Sequence, residues 1–426
     1  MNQQYPPPDQ NYGQYPPTGQ YPPQGQYGQP PPPQSYGQPA YGAPPPQPNF
    51  GGYGAPPPQQ YPPPQQYGAP PPSQYGTAPP PQPYGQQPQY GAPPGAPPPF
   101  GAPPVQQGHA SPGYGPQQTA LVNVDNDIIN LKKSFKGWGT DEKLLIQCIA
   151  RQDPIQINAI REGFNQRFQS DLLKRIHEET KGDFRDACLE VCRGPLMGDC
   201  YTLRDATKGV GTKEAALNDV LIGRSNADIN AIKMEFQRLF GESLESVLRG
   251  DLSASTEQLF VMVIAARRNE ESAPVIPQQV ETDVADLQRA LGTILKDATQ
   301  ACQILTSKSD AQLRAISQAY QHRYHKSLDK VLEDKFSGHM EKALRLLVAR
   351  ANNRAASDAE QLEETMKGIG TKDTLLIQRL VRAHWDHRHL AQVRTEFLKI
   401  RKEGLVKRID GETSGDYRKL LIAMAQ

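Results

Sequence analysis

The sequence predicts an all-α body of four repeats, about five helices each, preceded by a long disordered tail. Three observations carry that prediction. Residues 1–118 hold 39 of the 43 prolines and 14 of the 18 tyrosines, with Asp9 as their single charged residue. The other 308 residues carry 90 of the 91 charged residues and only Pro154, Pro195, Pro274 and Pro277. Within those 308 residues a helical apolar pattern recurs four times.

The tail has almost no Leu, Ile or Val to bury against the entropy of ordering, so residues 1–118 are expected to be disordered. Tyr-Pro-Pro at Tyr15, Tyr21 and Tyr61, and Tyr-Gly-Ala-Pro-Pro at Tyr41, Tyr53, Tyr67 and Tyr90, place sparse aromatics on an uncharged, polyproline-like chain. That composition suits self-association or docking in aromatic-lined grooves, and it suits a plain spacer equally well. A tail-driven interaction or condensate scaffold, with the helices as its structural body, is therefore the alternative function class.

The repeat is read from identities at fixed offset. Ile-Asn-Ala-Ile occurs at Ile157–Ile160 and again 72 residues later at Ile229–Ile232, with Phe164, Phe168 and Leu172 matched by Phe236, Phe240 and Leu244. Leu313–Ile316 with Tyr320, Tyr324 and Leu328 gives a third copy, and Leu390–Val393 with Phe397 and Leu405 a fourth. The expected domains are 119–193, 194–273, 279–353 and 354–426, with Pro274 and Pro277 marking the longest joint.

Each unit opens as helix, glycine loop, helix. Val124, Ile128, Leu131 and Phe135 form one helical stripe and Leu145 and Ile149 begin the next. Between them, in Lys136-Gly137-Trp138-Gly139-Thr140, the glycines break the first helix. Thr140 is expected to cap the second, with Asp141 and Glu142 in its first turn. Ile157–Phe168, Leu172–Glu178 and Asp183–Val191 then supply three more helices.

Charge and cysteine usage remove several function classes. The body has 46 Lys and Arg against 44 Asp and Glu, which gives no global field for gripping nucleic acid. The five cysteines form no C-x-x-C pair and the first ten residues have no basic or apolar leader region, so a reducing, cytoplasmic setting is expected. The longest apolar run, Leu259 to Ala266, is too short to cross a bilayer, so any membrane contact is peripheral. No nucleotide or hydrolytic motif appears, and Gly209-Val210-Gly211 lacks the third glycine of a dinucleotide fingerprint, so no enzyme is expected.

The glycine loop recurs as Lys208-Gly209-Val210-Gly211-Thr212 and Lys367-Gly368-Ile369-Gly370-Thr371. Two glycines around one residue let the backbone turn carbonyls toward solvent, and outward carbonyls are ligands for a hard cation such as Ca²⁺. A carboxylate would complete the site. Glu179 stands forty residues after Gly139, and Asp251 forty after Gly211. The residue between the glycines is apolar in all three loops (Trp138, Val210, Ile369), and each loop opens on a lysine (Lys136, Lys208, Lys367). An apolar tip in a basic collar suits an anionic lipid surface, whose phosphate oxygens would supply the remaining ligands.

Four repeats, Lys-Gly-x-Gly-Thr loops and a distant acid together resemble the annexin family, over all of residues 119–426. The resemblance implies calcium-dependent binding to anionic phospholipid membranes, peripheral when calcium rises, with a role in tethering, trafficking or aggregation. The implied metal ligands are Phe135, Gly137, Gly139 and Glu179 in unit one, Thr207, Gly209, Gly211 and Asp251 in unit two, and Met366, Gly368, Gly370 and an acid in unit four. Asp410 stands forty residues on, but Glu412-Thr413-Ser414-Gly415-Asp416-Tyr417 matches the family string and selects Glu412, with two extra residues around His384–His389. The tail resembles those of long-tailed annexins, which implies a penta-EF-hand or other protein partner.

In unit three the corresponding stretch is read as Leu295-Lys296-Asp297-Ala298-Thr299, without glycines, and Lys335 takes the acid position, so no calcium is expected there. His384, His387 and His389 are read as solvated on an inserted loop, and Cys188 and Cys192 as buried thiols. Asp199 and Arg224 match positions at the polar centre of annexin folds. Thr202 and Gln378 replace charged residues often found there, which argues against an ion channel.

Overall fold

The computed structural model describes residues 108–115, 122–137, 139–209, 211–252, 254–292 and 297–426. The expectation for residues 1–107, the membrane-tip residues Trp138 and Val210, and Leu295 and Lys296 of unit three lie outside the described residues. Eighteen helices and no strand occur among the described residues.

Unit one comprises α1 (Asp125–Ser134), α2 (Glu142–Ile149), α3 (Pro154–Phe168), α4 (Leu172–Glu179) and the first half of α5 (Gly182–Thr207). The second half of α5 opens unit two, which continues through α6 (Glu214–Leu221), α7 (Asn226–Phe240), α8 (Leu244–Asp251) and α9 (Ala254–Ile264). Unit three holds α10 (Pro277–Gly292), α11 (Ala298–Ser307), α12 (Asp310–Tyr324), α13 (Leu328–Lys335) and the start of α14 (Gly338–Met366). Unit four takes the rest of α14, then α15 (Asp373–His384), α16 (His387–Arg401), α17 (Leu405–Glu412) and α18 (Gly415–Ala425). Two joints between units are kinks inside one long helix, at Gly194 (φ +71°) and at Asn353 (ψ 94°). Counting each kinked helix as two gives five helices per unit.

Local chemistry sets these boundaries. Asp153 and Ser309 cap α3 and α12 with reciprocal capping boxes to Gln156 and Gln312. Asp141, not Thr140, caps α2: its carboxylate accepts from Leu144 N at 2.9 Å. A carboxylate beside the N-terminal dipole serves better there than a hydroxyl, and Thr140 is free for another bond.

The periodic residues of the four repeats are buried in two apolar cores. Units one and four share one, around Phe164 and Phe397, and units two and three share the other, around Phe236 and Tyr320. Buried charges join the two halves: Asp219 on α6 pairs with Arg379 on α15 at 2.6 Å, and Asp199 on α5 with Arg382 on α15 at 2.9 Å. Arg224 also binds Asp199. The five cysteines are free and buried.

The two extra residues of unit four lengthen α15, which runs twelve residues against eight in α2 and α6. The histidines at this insertion are not solvated as a group. His384 is 2% exposed with Nδ1 on the Met424 carbonyl, and burial pushes its imidazole down to about 4. His389 Nε2 bonds Asp358 at 2.8 Å, while His387 is exposed.

Candidate functional site

The glycine loops close in the same way in every unit. The backbone N–H of the residue after the loop returns to a carbonyl seven positions back: Asp141 to Ser134, Lys213 to Ala206, Asp297 to Ala290 and Lys372 to Thr365, at 2.8 to 3.0 Å. This bond fixes the register of unit three and corrects the sequence alignment. Positions 290–297 match 134–141, so the five-residue motif falls on Gly292-Thr293-Ile294-Leu295-Lys296 rather than 295–299. Thr293 and Leu295 then stand where the two glycines stand elsewhere.

The loop glycines have the backbone that the ligand argument needs. Gly137, Gly139, Gly209, Gly211, Gly368 and Gly370 all have φ between +81° and +110°, a region costly for a residue with a Cβ. A Cβ built on any of them would meet nothing within 4 Å. Conformation, not crowding, demands glycine. Lys136, Lys208 and Lys367 are exposed, and Ile369 at the tip of unit four is 109% exposed, the most open of the large apolar side chains described.

The distant acid is brought to the loop by the loop threonine. Thr140 Oγ1 donates to the Glu179 carbonyl at 2.8 Å, Thr212 Oγ1 to the Asp251 carboxylate at 2.6 Å, and Thr371 Oγ1 to the carbonyl and carboxylate of Glu412, both at 3.3 Å. Each acid is the last residue of its helix (α4, α8 and α17), and Lys335 ends α13. Asp410 sits inside α17 and faces Arg418 at 3.5 Å. Glu412 therefore takes the place equivalent to Glu179 and Asp251.

Two arginines test whether these oxygens converge on a cation. Arg175 Nη2 lies 2.9 Å from Glu179 Oε1 and donates to the Phe135 carbonyl at 3.4 Å. In unit four Arg408 pairs with Glu412 at 2.6 Å and donates to the Met366 carbonyl. One positive group thus spans the main-chain oxygen and the carboxylate that the sequence couples across forty residues. In unit two the matching position on α8 is Val247, and Asp251 relies on Thr212. Sequence reasoning missed these arginines, although Arg four residues before Glu in both Arg175/Glu179 and Arg408/Glu412 was a visible signal.

No three His, Cys, Asp or Glu side chains converge as a metal cluster among the described residues. A cation at these loops has one protein carboxylate and must draw its other ligands from main-chain and external oxygens, which suits Ca²⁺ better than zinc. Glu179, Lys181 and Asp183 line one open depression with Ser414, Asp416 and Tyr417 of unit four. Burial, with Asp373 and Asp186 nearby, raises the Asp183 carboxyl.

Comparison with known proteins bears on the same residues. The profile of the family described as Annexin matches residues 127–191, 198–263, 282–347 and 357–424. Annexin C1 of Cryptococcus neoformans var. grubii is 34% identical over 305 residues, which cover 70% of this chain and 64% of the relative. The match thus spans less than two thirds of that relative's length. Annexin A13 of Mus musculus is 34% identical over 304 residues, covering 71% of this chain and 95% of the relative. Among solved structures, chicken annexin V superposes with a TM-score of 0.64 at 29% identity, covering 72% of this chain and 97% of that one.

Proposed function

The chain belongs to the annexin family, and from that premise we propose that it binds anionic phospholipid membranes through Ca²⁺ held at the loops of units one, two and four. Calcium-dependent phospholipid binding is the general property of the family. The observation that supports this assignment is the threonine bond that holds Glu179, Asp251 and Glu412 against their glycine loops.

The ligands would be the carbonyls of Phe135, Gly137 and Gly139 with Glu179, those of Thr207, Gly209 and Gly211 with Asp251, and those of Met366, Gly368 and Gly370 with Glu412. Bound calcium supplies a charge that phosphate oxygens of the lipid can share. Arg175 and Arg408 neutralise the Glu179 and Glu412 carboxylates, which would have to leave these arginines to serve as cation ligands. One carboxylate per site predicts weak affinity in solution, on the order of 10⁻⁴–10⁻³ M. Lipid and calcium then each raise affinity for the other. Lys136, Lys208 and Lys367 attract the anionic surface, while Trp138, Val210 and Ile369 enter its interfacial layer.

The Pro-rich segment adds reach. Its uncharged, tyrosine-bearing, polyproline-like composition suits tethering of a second membrane or docking of a penta-EF-hand partner. Sedimentation with phosphatidylserine vesicles tests the main reading. Binding in calcium and release in excess chelator are expected, and undiminished binding in chelator would sink it.

A further inference from the structure

A buried carboxylate stands ready to share the arginine of the unit four loop. Glu363, on α14 three residues before Met366, is 7% exposed. Its Oε1 lies 3.2 Å from Arg401 Nε and its Oε2 3.5 Å from Arg408 Nε, yet neither oxygen makes a hydrogen bond. The Nε of Arg408 is buried and without a hydrogen bond as well. A buried donor and a buried acceptor left unbonded are costly, so a shift of Arg408 toward Glu363 is favoured on that side. The other edge of the guanidinium opposes the shift, held by Glu412 at 2.6 Å and by the Met366 carbonyl.

Those two oxygens are the ones assigned to the cation in unit four. A cation there takes both from Arg408, which then faces Glu363 with both carboxylate oxygens open to it. Units one and two lack this arrangement, because Lys132 stands three residues before Phe135 and Arg204 three before Thr207. Arg175 Nε also makes no hydrogen bond, but Glu178, its other acidic neighbour, is 3.9 Å from Nη1 and half-exposed. A solvated carboxylate offers an arginine less than a buried one does.

We propose that Glu363 is a positioning residue of the unit four site, which receives Arg408 when calcium takes Glu412 and the Met366 carbonyl and so lowers the calcium that the site needs. The inference rests on the calcium reading of these loops. One arginine then has two arrangements, on Glu412 without the cation and on Glu363 with it. Arg401, 38% exposed, competes with Arg408 for the same carboxylate and opposes the transfer.

The test is a calcium titration of the full chain without lipid, followed at the Gly368 and Gly370 amide resonances, which report unit four by itself. Glu363→Gln should raise the half-saturating calcium roughly threefold or more, whereas Arg401→Ala, which frees Glu363, should lower it. In Arg408→Ala the further change Glu363→Gln should have no effect, since no arginine is left to receive. The Arg408 Nε–H resonance, assigned by its loss in Arg408→Ala, should move downfield on adding calcium to the parent and not to Glu363→Gln. An unchanged or lower requirement in Glu363→Gln overturns the proposal. So does an effect of Glu363→Gln that persists undiminished in Arg408→Ala, which would make Glu363 a distant charge. A higher requirement in Arg401→Ala also overturns it, and that variant decides the matter where Glu363→Gln does not fold. If Glu412→Gln leaves the glycine titration unchanged, the calcium reading itself fails and this inference with it.

Discussion

Units two and three pack into one apolar core and close their loops with the same seven-residue hydrogen bond, yet they differ in everything a cation would touch. Unit two has Gly209, Gly211, Thr212 and Asp251, while unit three has Thr293, Leu295, Lys296 and Lys335 at the same places. The fifteen-residue α7 and α12, the eight-residue α8 and α13, their serine caps and their buried apolar residues survive the exchange. The scaffold is thus specified by the buried stripe and the caps, and the site by a few loop positions and one helix end that add little to the core.

Core substitutions should make this division visible at full size. Leu332→Ala removes a fully buried side chain from unit three and should cost about 2–5 kcal/mol in urea unfolding. At a temperature where the variant stays folded, its calcium requirement for vesicle binding should match the parent's. A shift in that requirement would show that the unit three scaffold and the sites elsewhere are not separable.

A second contrast concerns the insertion in unit four. His384 is buried and neutral, with its folded value down at about 4 against an ordinary 6.5. A depressed value means the contribution to stability is present above pH 6.5 and is lost as pH falls toward 4. The full loss is on the order of 3 kcal/mol at 1.36 kcal/mol per unit. His384→Gln should flatten that part of the stability–pH curve. An unchanged curve would mean that other buried groups set the acid sensitivity.

The periodicity and the identities at an offset of 72 made the four units legible in the sequence, since burial imposes them directly. The loop glycines and acids were legible because repetition marks them. The register of unit three was not, because its loop keeps no glycine in common with the others at the motif positions, and only the Asp297-to-Ala290 bond reveals it. The role of Thr140 was misread for a similar reason: a cap is a local pattern, whereas its bond to Glu179 spans 39 residues. Residues 108–115 share the composition of the tail, and nothing local announces that Ser111 and Tyr114 meet Asp228 and Asp199 more than 80 residues away.

The contrast between unit two, without an arginine on its acid, and units one and four can be sharpened by a smaller effect. Arg175→Ala removes the guanidinium that competes for Glu179 and the Phe135 carbonyl. Half-exposed pairs of this kind contribute at most about 1 kcal/mol. Calcium needed for half-maximal membrane binding should therefore fall by roughly two- to fivefold, with stability nearly unchanged. A rise instead would assign Arg175 to the lipid phosphate rather than to holding the empty carboxylate.

The most direct measurement is a calcium titration of binding to phosphatidylserine vesicles by the parent chain, by Glu179→Gln/Asp251→Asn/Glu412→Gln, and by Lys335→Ala. The triple variant should need at least tenfold more calcium for half-maximal binding while keeping the parent's unfolding midpoint, and Lys335→Ala should titrate as the parent does. If the triple variant titrates like the parent, the three loops are not the calcium sites, whatever their resemblance to one another.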